Sequence, residues 1–443
     1  MISAYVIQDK INPDDLSVYG KAPTPRTVLV LERDLQRLLT SFPFDKIIHD
    51  SCQGVLANPF GPTFFWALAG ESIALPTPYP HYLNPEDYAA LLKKGEINPG
   101  DLRSWGLEVP PSVVKHYNLR MGDKVEVKVE GGLVYITSVN GQKPFSHRPF
   151  FDFEVLPEYP QEMIPLDKGG SIGWRMVYLL GAVQGYGQTT YILGEGGLGK
   201  TTLILEAWKE ILKLTQDSRV YAVLVFIGER GEDLSDYLDL LQNTPHGLVE
   251  VWSAPKGVPQ EFQWQVFLWG YHRSLVLGAH YHCVTFYESA SRAVDAFRSV
   301  AEPGGGMVTG GIPTEAISRV AAMVGRGGFY PNLGTSNTNI VSVLDGNKSA
   351  DPLAQFALMT ADHNTTSRIR LVPSPQIPFP KISVIPLETY TRRSERLIPQ
   401  ALRKEQEKVK KDCFFDSAGR LLPPEETHRR ILKYCEENPD PQY

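Results

Sequence analysis

Residues 191–206 read YILGEGGLGKTTLILE. A short apolar run leads into Gly194-Glu-Gly-Gly-Leu-Gly199-Lys200-Thr201, and a stretch with helical spacing follows. The pattern is GxxxxGK[ST] set between a strand and a helix, the context in which it cradles phosphate. Gly194, Gly196, Gly197 and Gly199, with Leu198 among them, let backbone N–H groups turn inward around phosphate oxygens. The helix that begins at Lys200, Thr201 and Thr202 points its positive dipole end at the same anion. Lys200 supplies charge to β- and γ-phosphates, and the Thr201 hydroxyl is a candidate Mg²⁺ ligand.

Working outward, apolar runs alternate with helical stretches from about residue 172 to 388: TTYIL, YAVLVFIG, LVEVW, HCVTFY and NIVSVL. Buried strands separated by amphipathic helices predict an α/β fold with a mostly parallel sheet. The strand after the phosphate loop delivers Glu229 and Arg230 at its carboxyl end, where ligands of open α/β sheets collect. A carboxylate there can orient and polarise an attacking water, the general-base role in phosphoryl transfer to solvent. HCVTFY ends in Glu288, so a second acid reaches the same edge, in the place of a residue that holds the Mg²⁺ shell.

On either side the text changes. Residues 1–80 are rich in Pro and aromatics, with one β-like run, TVLVL at Thr27–Leu31, and a helical pattern after it. Residues 81–150 include VEVKVEGGLVYI, with Val125, Val127 and Val129 alternating before a Gly131–Gly132 turn, which predicts a small antiparallel barrel or sheet. Residues 151–171 read as a Pro-rich linker, and 389–443 as a solvated, charged helical tail. With 44 Lys+Arg against 50 Asp+Glu the net charge is −6, which excludes a globally basic nucleic-acid coat but not a local basic site. Four cysteines without a CxxC pair argue against a zinc site or a disulfide framework. No stretch approaches the ~20 apolar residues of a spanning helix, so the expectation is a cytoplasmic protein without a membrane partner.

From about Val109 to Ser383 the chain resembles the transcription termination factor Rho, and more loosely the catalytic subunits of rotary and flagellar-export ATPases. VPPSVVKHYNLRMGD, GYGQTTYILGEGGLGKT and MVTGGI carry the likeness to Rho, whereas GERGED is closer to the rotary and export enzymes. The resemblance implies a RecA-like P-loop core preceded by a small OB- or barrel-like β domain, ATP and Mg²⁺ as ligands, and a homo-oligomeric ring, taken as a hexamer. It makes Lys200 and Thr201 the nucleotide and metal residues, Glu229 the catalytic carboxylate, Arg230 its coupling neighbour and Glu288 the metal-side acid, where the family has Asp. Arg292 matches a family arginine. Arg368, with Arg370 as fallback, corresponds to an arginine that reaches the neighbouring subunit's site, and Phe356 to the adenine-stacking aromatic.

Two loops are expected to line a central channel: 298–307, with Arg298 and with Gly306 where the family has lysine, and 345–351, with Lys348. The function implied is ATP hydrolysis at subunit interfaces coupled to movement on single-stranded nucleic acid, RNA by resemblance. Two alternatives stand beside it: an export-type motor acting on polypeptide, and a slow nucleotide-gated structural ring. A protein partner is expected at the N-terminal region or the C-terminal tail.

Overall fold

The computed structural model describes residues 2–9, 26–31, 65–68, 71–76, 106–109, 117–130, 133–143, 157–301, 306–308, 311–344 and 366–441. They fall into two compact units, Met1–Arg148 with Gly257–Phe262, and Pro149–Lys256 with Gln263–Tyr443.

In the first unit, β1 (Ile2–Asp9), β2 (Arg26–Leu31), β3 (Phe65–Leu68), β4 (Glu71–Pro76), β5 (Gly106–Val109), β6 (Lys124–Glu130) and β7 (Leu133–Val139) form one sheet in the order β4-β3-β7-β6-β1-β2-β5. Every pairing is antiparallel except β3 with β7. The alternation read in the sequence appears at the start of β6, where Val125 is buried between half-exposed Lys124 and Glu126. After β7 the chain turns through Asn140 and Gly141, both at positive φ. Asn140 tethers that turn, accepting from the Lys124 amide at 2.9 Å and donating to Asp123 at 2.7 Å. Strands from residues 1–80 and 81–150 share this sheet, so no boundary falls at residue 80.

The second unit runs α1 (Ile172–Leu179), β8 (Thr189–Gly194), α2 (Lys200–Leu214), β9 (Val220–Ile227), α3 (Gly231–Asn243), β10 (Leu248–Ala254), α4 (Gln260–Gly278), β11 (His282–Glu288), α5 (Ala290–Phe297), β12 (Met307–Val308), β13 (Ile312–Pro313), α6 (Thr314–Val324), β14 (Gly328–Tyr330), β15 (Thr335–Leu344), β16 (Ser367–Arg370), β17 (Tyr390–Thr391), α7 (Gln400–Phe414) and α8 (Pro424–Glu437). Its sheet has the order β10-β9-β11-β15-β8-β16-β17, with β14 beside β15, and only the two short strands β14 and β17 run antiparallel. β8, β9 and β11 are buried almost throughout, which explains why their sequences read as continuous apolar runs rather than alternating ones. The chain leaves β8 and enters β9 three positions away, across β15 and β11, while β16 lies on the other side of β8, so the order switches beside β8, and ligands of such sheets bind at that switch.

Residues 389–443 depart from the solvated tail expected of them. Leu402, Val409 and Cys413 of α7 and Thr427, His428, Ile431 and Cys435 of α8 are buried. Arg175 of α1, 1% exposed, pairs with buried Asp167 at 3.6 Å and with Glu405 of α7. Its Nε donates to the Asn438 carbonyl at 3.4 Å, and Tyr434 donates to Glu405 at 3.0 Å. The dense mixture of charges hid a buried stripe spaced at i, i+3/4 and i+7, a narrow face within an otherwise polar helix. Residues 157–171 are likewise part of this unit, with Tyr178 donating to the Ile164 carbonyl and Leu166 fully buried.

Candidate functional site

Three parallel strands deliver the chemistry to one edge. β8 ends in Gly194 and leads through the glycine loop into α2, β9 leads into Glu229, and β11 ends in Glu288. Gly199 precedes α2 with φ +93° and Gly197 has φ +77°, left-handed conformations that other residues adopt at a cost. Side chains at Gly196 and Gly197 would meet nothing within 4 Å, so these glycines border open space. No side chain caps the start of α2, leaving its first N–H groups for an anion. Lys200 folds back over the loop, its Nζ donating to the carbonyls of Gly194 at 2.8 Å and Glu195 at 2.9 Å. Leu198 is buried, Thr201 half-buried and Thr202 exposed on the first turn of α2.

Glu229 is held on one side only. Ser289 Oγ donates to its Oε1 at 2.8 Å and Arg292 Nε donates to the same oxygen at 3.2 Å, while Oε2 has no donor among the described residues. Arg292 is itself steadied by Asp295 at 3.6 Å. A Cβ at Gly228, φ +65°, would stand 2.9 Å from the Arg292 Cβ, so glycine is needed for this approach. Arg230 follows at the entry to α3, exposed and making no side-chain cap.

Glu288 is 4% exposed, with Tyr237 Oη at 3.4 Å from its Oε2. Burial first, and the charge of Glu229 second, push its pKa up to about 8. The native state therefore keeps a proton that the unfolded chain has released. That contribution to stability is complete below the ordinary carboxylate pKa and is lost as pH rises towards 8. In nucleotide-free protein the unfolding free energy from urea titration should fall between about pH 5 and 8, by an amount on the order of a few kcal/mol. Glu288→Gln, which cannot ionise, should flatten that part of the profile; an unchanged slope would remove Glu288 as its source.

The residues fit Mg²⁺. Thr201 and Glu288 offer oxygen, and among the described residues no three His, Cys, Asp or Glu gather into an all-protein cage. Mg²⁺ is ordinarily held by one or two protein oxygens with substrate phosphates and water. A buried acid with a raised pKa is one that a divalent cation would relieve.

Other expected residues are distributed differently. Arg368 lies on β16 opposite Tyr191, three residues before the end of β8, so it is not gathered with Lys200 and Glu229 within this chain. Its Nε is buried without a hydrogen-bond partner among the described residues. Arg370 follows on the same face of that strand, opposite Leu193. Arg298 is exposed at the end of α5, on the side of the short β12–β13 hairpin: its Nη2 would lie 3.5 Å from a Cβ at Gly311. Lys348 and Phe356 lie outside the described residues. The aromatic that does meet the glycine loop is Phe379, 52% exposed, whose ring would be 2.4 Å from a Cβ at Gly199. Ser289, Tyr237 and Phe379 are site neighbours that motif reading missed. Only Ser289, directly after Glu288, carried a positional signal.

Residues 173–371 match the nucleotide-binding domain of the ATP synthase alpha/beta family. Among curated proteins, the chain is 32% identical over 145 residues to transcription termination factor Rho of Streptobacillus moniliformis, covering 30% of this chain and 34% of that one. It is 25% identical over 249 residues to Rho of Aquifex aeolicus, with 53% and 55% covered. With Rho of Bacillus subtilis it shares 25% identity over 303 residues, with 66% and 68% covered. The chain thus spans 34% and 55% of the length of the first two relatives. Among solved structures, an ATPase from the type III secretion system of pathogenic bacteria superposes with a TM-score of 0.49 at 18% identity, covering 68% of this chain and 89% of the other. The domain match over 173–371, the parallel sheet with its switch beside β8, and the glycine loop leading into α2 put this region in the RecA-fold superfamily of P-loop ATPases.

Proposed function

We propose that the chain is a ring-forming ATPase that hydrolyses ATP at the interfaces between its copies and uses the cycle to move or remodel single-stranded nucleic acid, RNA in the first instance. The observation that carries the hydrolytic reading is the one-sided restraint of Glu229: Ser289 and Arg292 occupy Oε1 and leave Oε2 to accept a proton from water. Triphosphate binds along the glycine loop, with Lys200 exchanging its carbonyl partners for phosphate oxygens. Bound Mg²⁺, held from Thr201 and Glu288, would neutralise charge on the phosphates. Phe379, which stands against Gly199, supplies a base-stacking face in addition to the Phe356 that the family resemblance implies. Arg368, or Arg370, serves a neighbouring copy, which agrees with an Arg368 Nε that has no hydrogen-bond partner among the described residues. An arginine supplied in trans stabilises charge in the transition state, so activity requires assembly. Arg298 and Lys348 contribute phosphate contacts in the channel.

ATPase rate measured with and without poly(C), alongside native mass, tests this. Stimulation of several-fold in an oligomer is expected, diminishing as salt rises because phosphate contacts release counterions. A strictly monomeric protein would exclude the ring, and indifference to every nucleic acid would exclude RNA as the substrate. The second reading, a motor acting on polypeptide, is favoured by GERGED at 228–233 and by Gly306 in the first channel loop.

A further inference from the structure

Phe379 and α8 are joined through one carbonyl. The segment after β16 leaves the sheet at Leu371 and returns at Ile382, and these two residues bridge each other across its root. The root is fixed to the phosphate loop on one side, where the Leu371 amide donates to Leu193 at 2.8 Å and Leu371 packs under Gly194. On the other side stands His428 of α8. It is 0% exposed, and its Nε2 lies 2.8 Å from the Pro380 carbonyl. Burial lowers the imidazole pKa, so the ring is neutral and its proton sits on Nε2, donated to that carbonyl. Nδ1 has no hydrogen-bond partner among the described residues. Proline has no N–H, so the carbonyl is the one backbone group by which residue 380 can be held. The Ile382 amide at 2.8 Å and His428 together occupy it.

One residue earlier, Phe379 emerges to 52% exposure with its ring edge against Gly199. An aromatic ring loses stacking energy when its distance or tilt from a base changes, so the position of its backbone matters as much as its presence. α8 is immobilised from beneath by the Arg175–Glu405–Tyr434 cluster and by buried Ile431 and Cys435. It therefore offers a fixed point from which to hold the loop.

We propose that His428 is a positioning residue for nucleotide binding: from the C-terminal helix it sets, through the Pro380 carbonyl, where the Phe379 ring stands over the glycine loop, and so the slot that takes the base. This rests on the reading of the glycine loop as the triphosphate site and of Phe379 as its base platform. Its selectivity is for the base, because the triphosphate contacts come from backbone N–H groups and Lys200, which His428 does not touch.

The test is equilibrium binding of ATP and of inorganic tripolyphosphate, each with Mg²⁺, to the full chain. His428→Leu fills the space without a donor and is expected to weaken ATP about tenfold while leaving tripolyphosphate within about twofold. Phe379→Ala should give the same pattern, and the double variant should bind no worse than Phe379→Ala, since both lesions remove one interaction. His428→Gln, whose amide Nε2 can reach the carbonyl, should restore most of the affinity. His428→Asn, too short to reach it, should lose the same tenfold and serves if the Leu variant does not fold. Equal losses for both ligands, or unchanged ATP affinity in a folded variant without the donor, would overturn the proposal. If Phe379→Ala leaves ATP binding unchanged, the base-platform reading fails and the proposal with it. If Phe379→Ala responds and His428→Leu does not, only the role of His428 is lost.

Discussion

Glu229→Gln should reduce ATP turnover by about 10²–10⁴-fold and leave nucleotide affinity within about twofold. The amide oxygen of glutamine can still accept from Ser289 Oγ and Arg292 Nε, the two donors that fix Oε1, so the side chain keeps its place. What changes is the outer atom: an NH₂ group replaces the oxygen that would take the proton from water. The substitution separates chemistry from binding. Phosphate release at saturating ATP and Mg²⁺, set beside equilibrium binding of a fluorescent nucleotide, reads both. Normal turnover would remove Glu229 from the reaction.

Lys200→Ala should lose nucleotide affinity by about 10²–10³-fold, since hydrogen bonds between an ammonium and phosphate are charge-assisted and each contributes about 1.5–3 kcal/mol. The lysine is pre-positioned by the carbonyls of Gly194 and Glu195, so little side-chain freedom remains to be lost on binding. In the variant those carbonyls sit beside exposed Gly196 and Gly197, where water can replace the ammonium. The melting temperature without ligand should therefore change little, while the rise produced by millimolar ATP and Mg²⁺ should vanish. A thermal shift that survives would mean that the triphosphate is gripped elsewhere.

The site was legible where a function forces residue type and spacing together. GEGGLGKT declared itself because phosphate needs inward amides, left-handed turns and a helix start in a fixed order, and Glu229 and Glu288 followed from being at strand ends. The parallel sheet was legible in runs such as VYAVLVFIG, since burial on both faces removes polar alternation. Phe379 was not: its place against the glycine loop depends on a loop returning to Gly199 from about 180 residues away, and no local spacing records such a return. His428 was hidden for a related reason, because a lone histidine in a charged helix looks the same whether it faces water or a carbonyl. The C-terminal helices were misjudged since a few apolar residues suffice when the rest of the contact is made by an arginine and its acids. At Gly306 and Lys348 the expectation came from likeness to a family rather than from a pattern with a physical requirement behind it.

The Arg175 cluster bears on how this molecule can be divided. A minimal motor fragment cut at residue 388, where the text of the chain turns highly charged, would strand a guanidinium in the interior with Asp167 as its remaining acid. It would also uncover the apolar side of α1. The last fifty residues behave as a keystone rather than an appendage, and engineering that treats the ATPase core as a detachable cassette must carry them along.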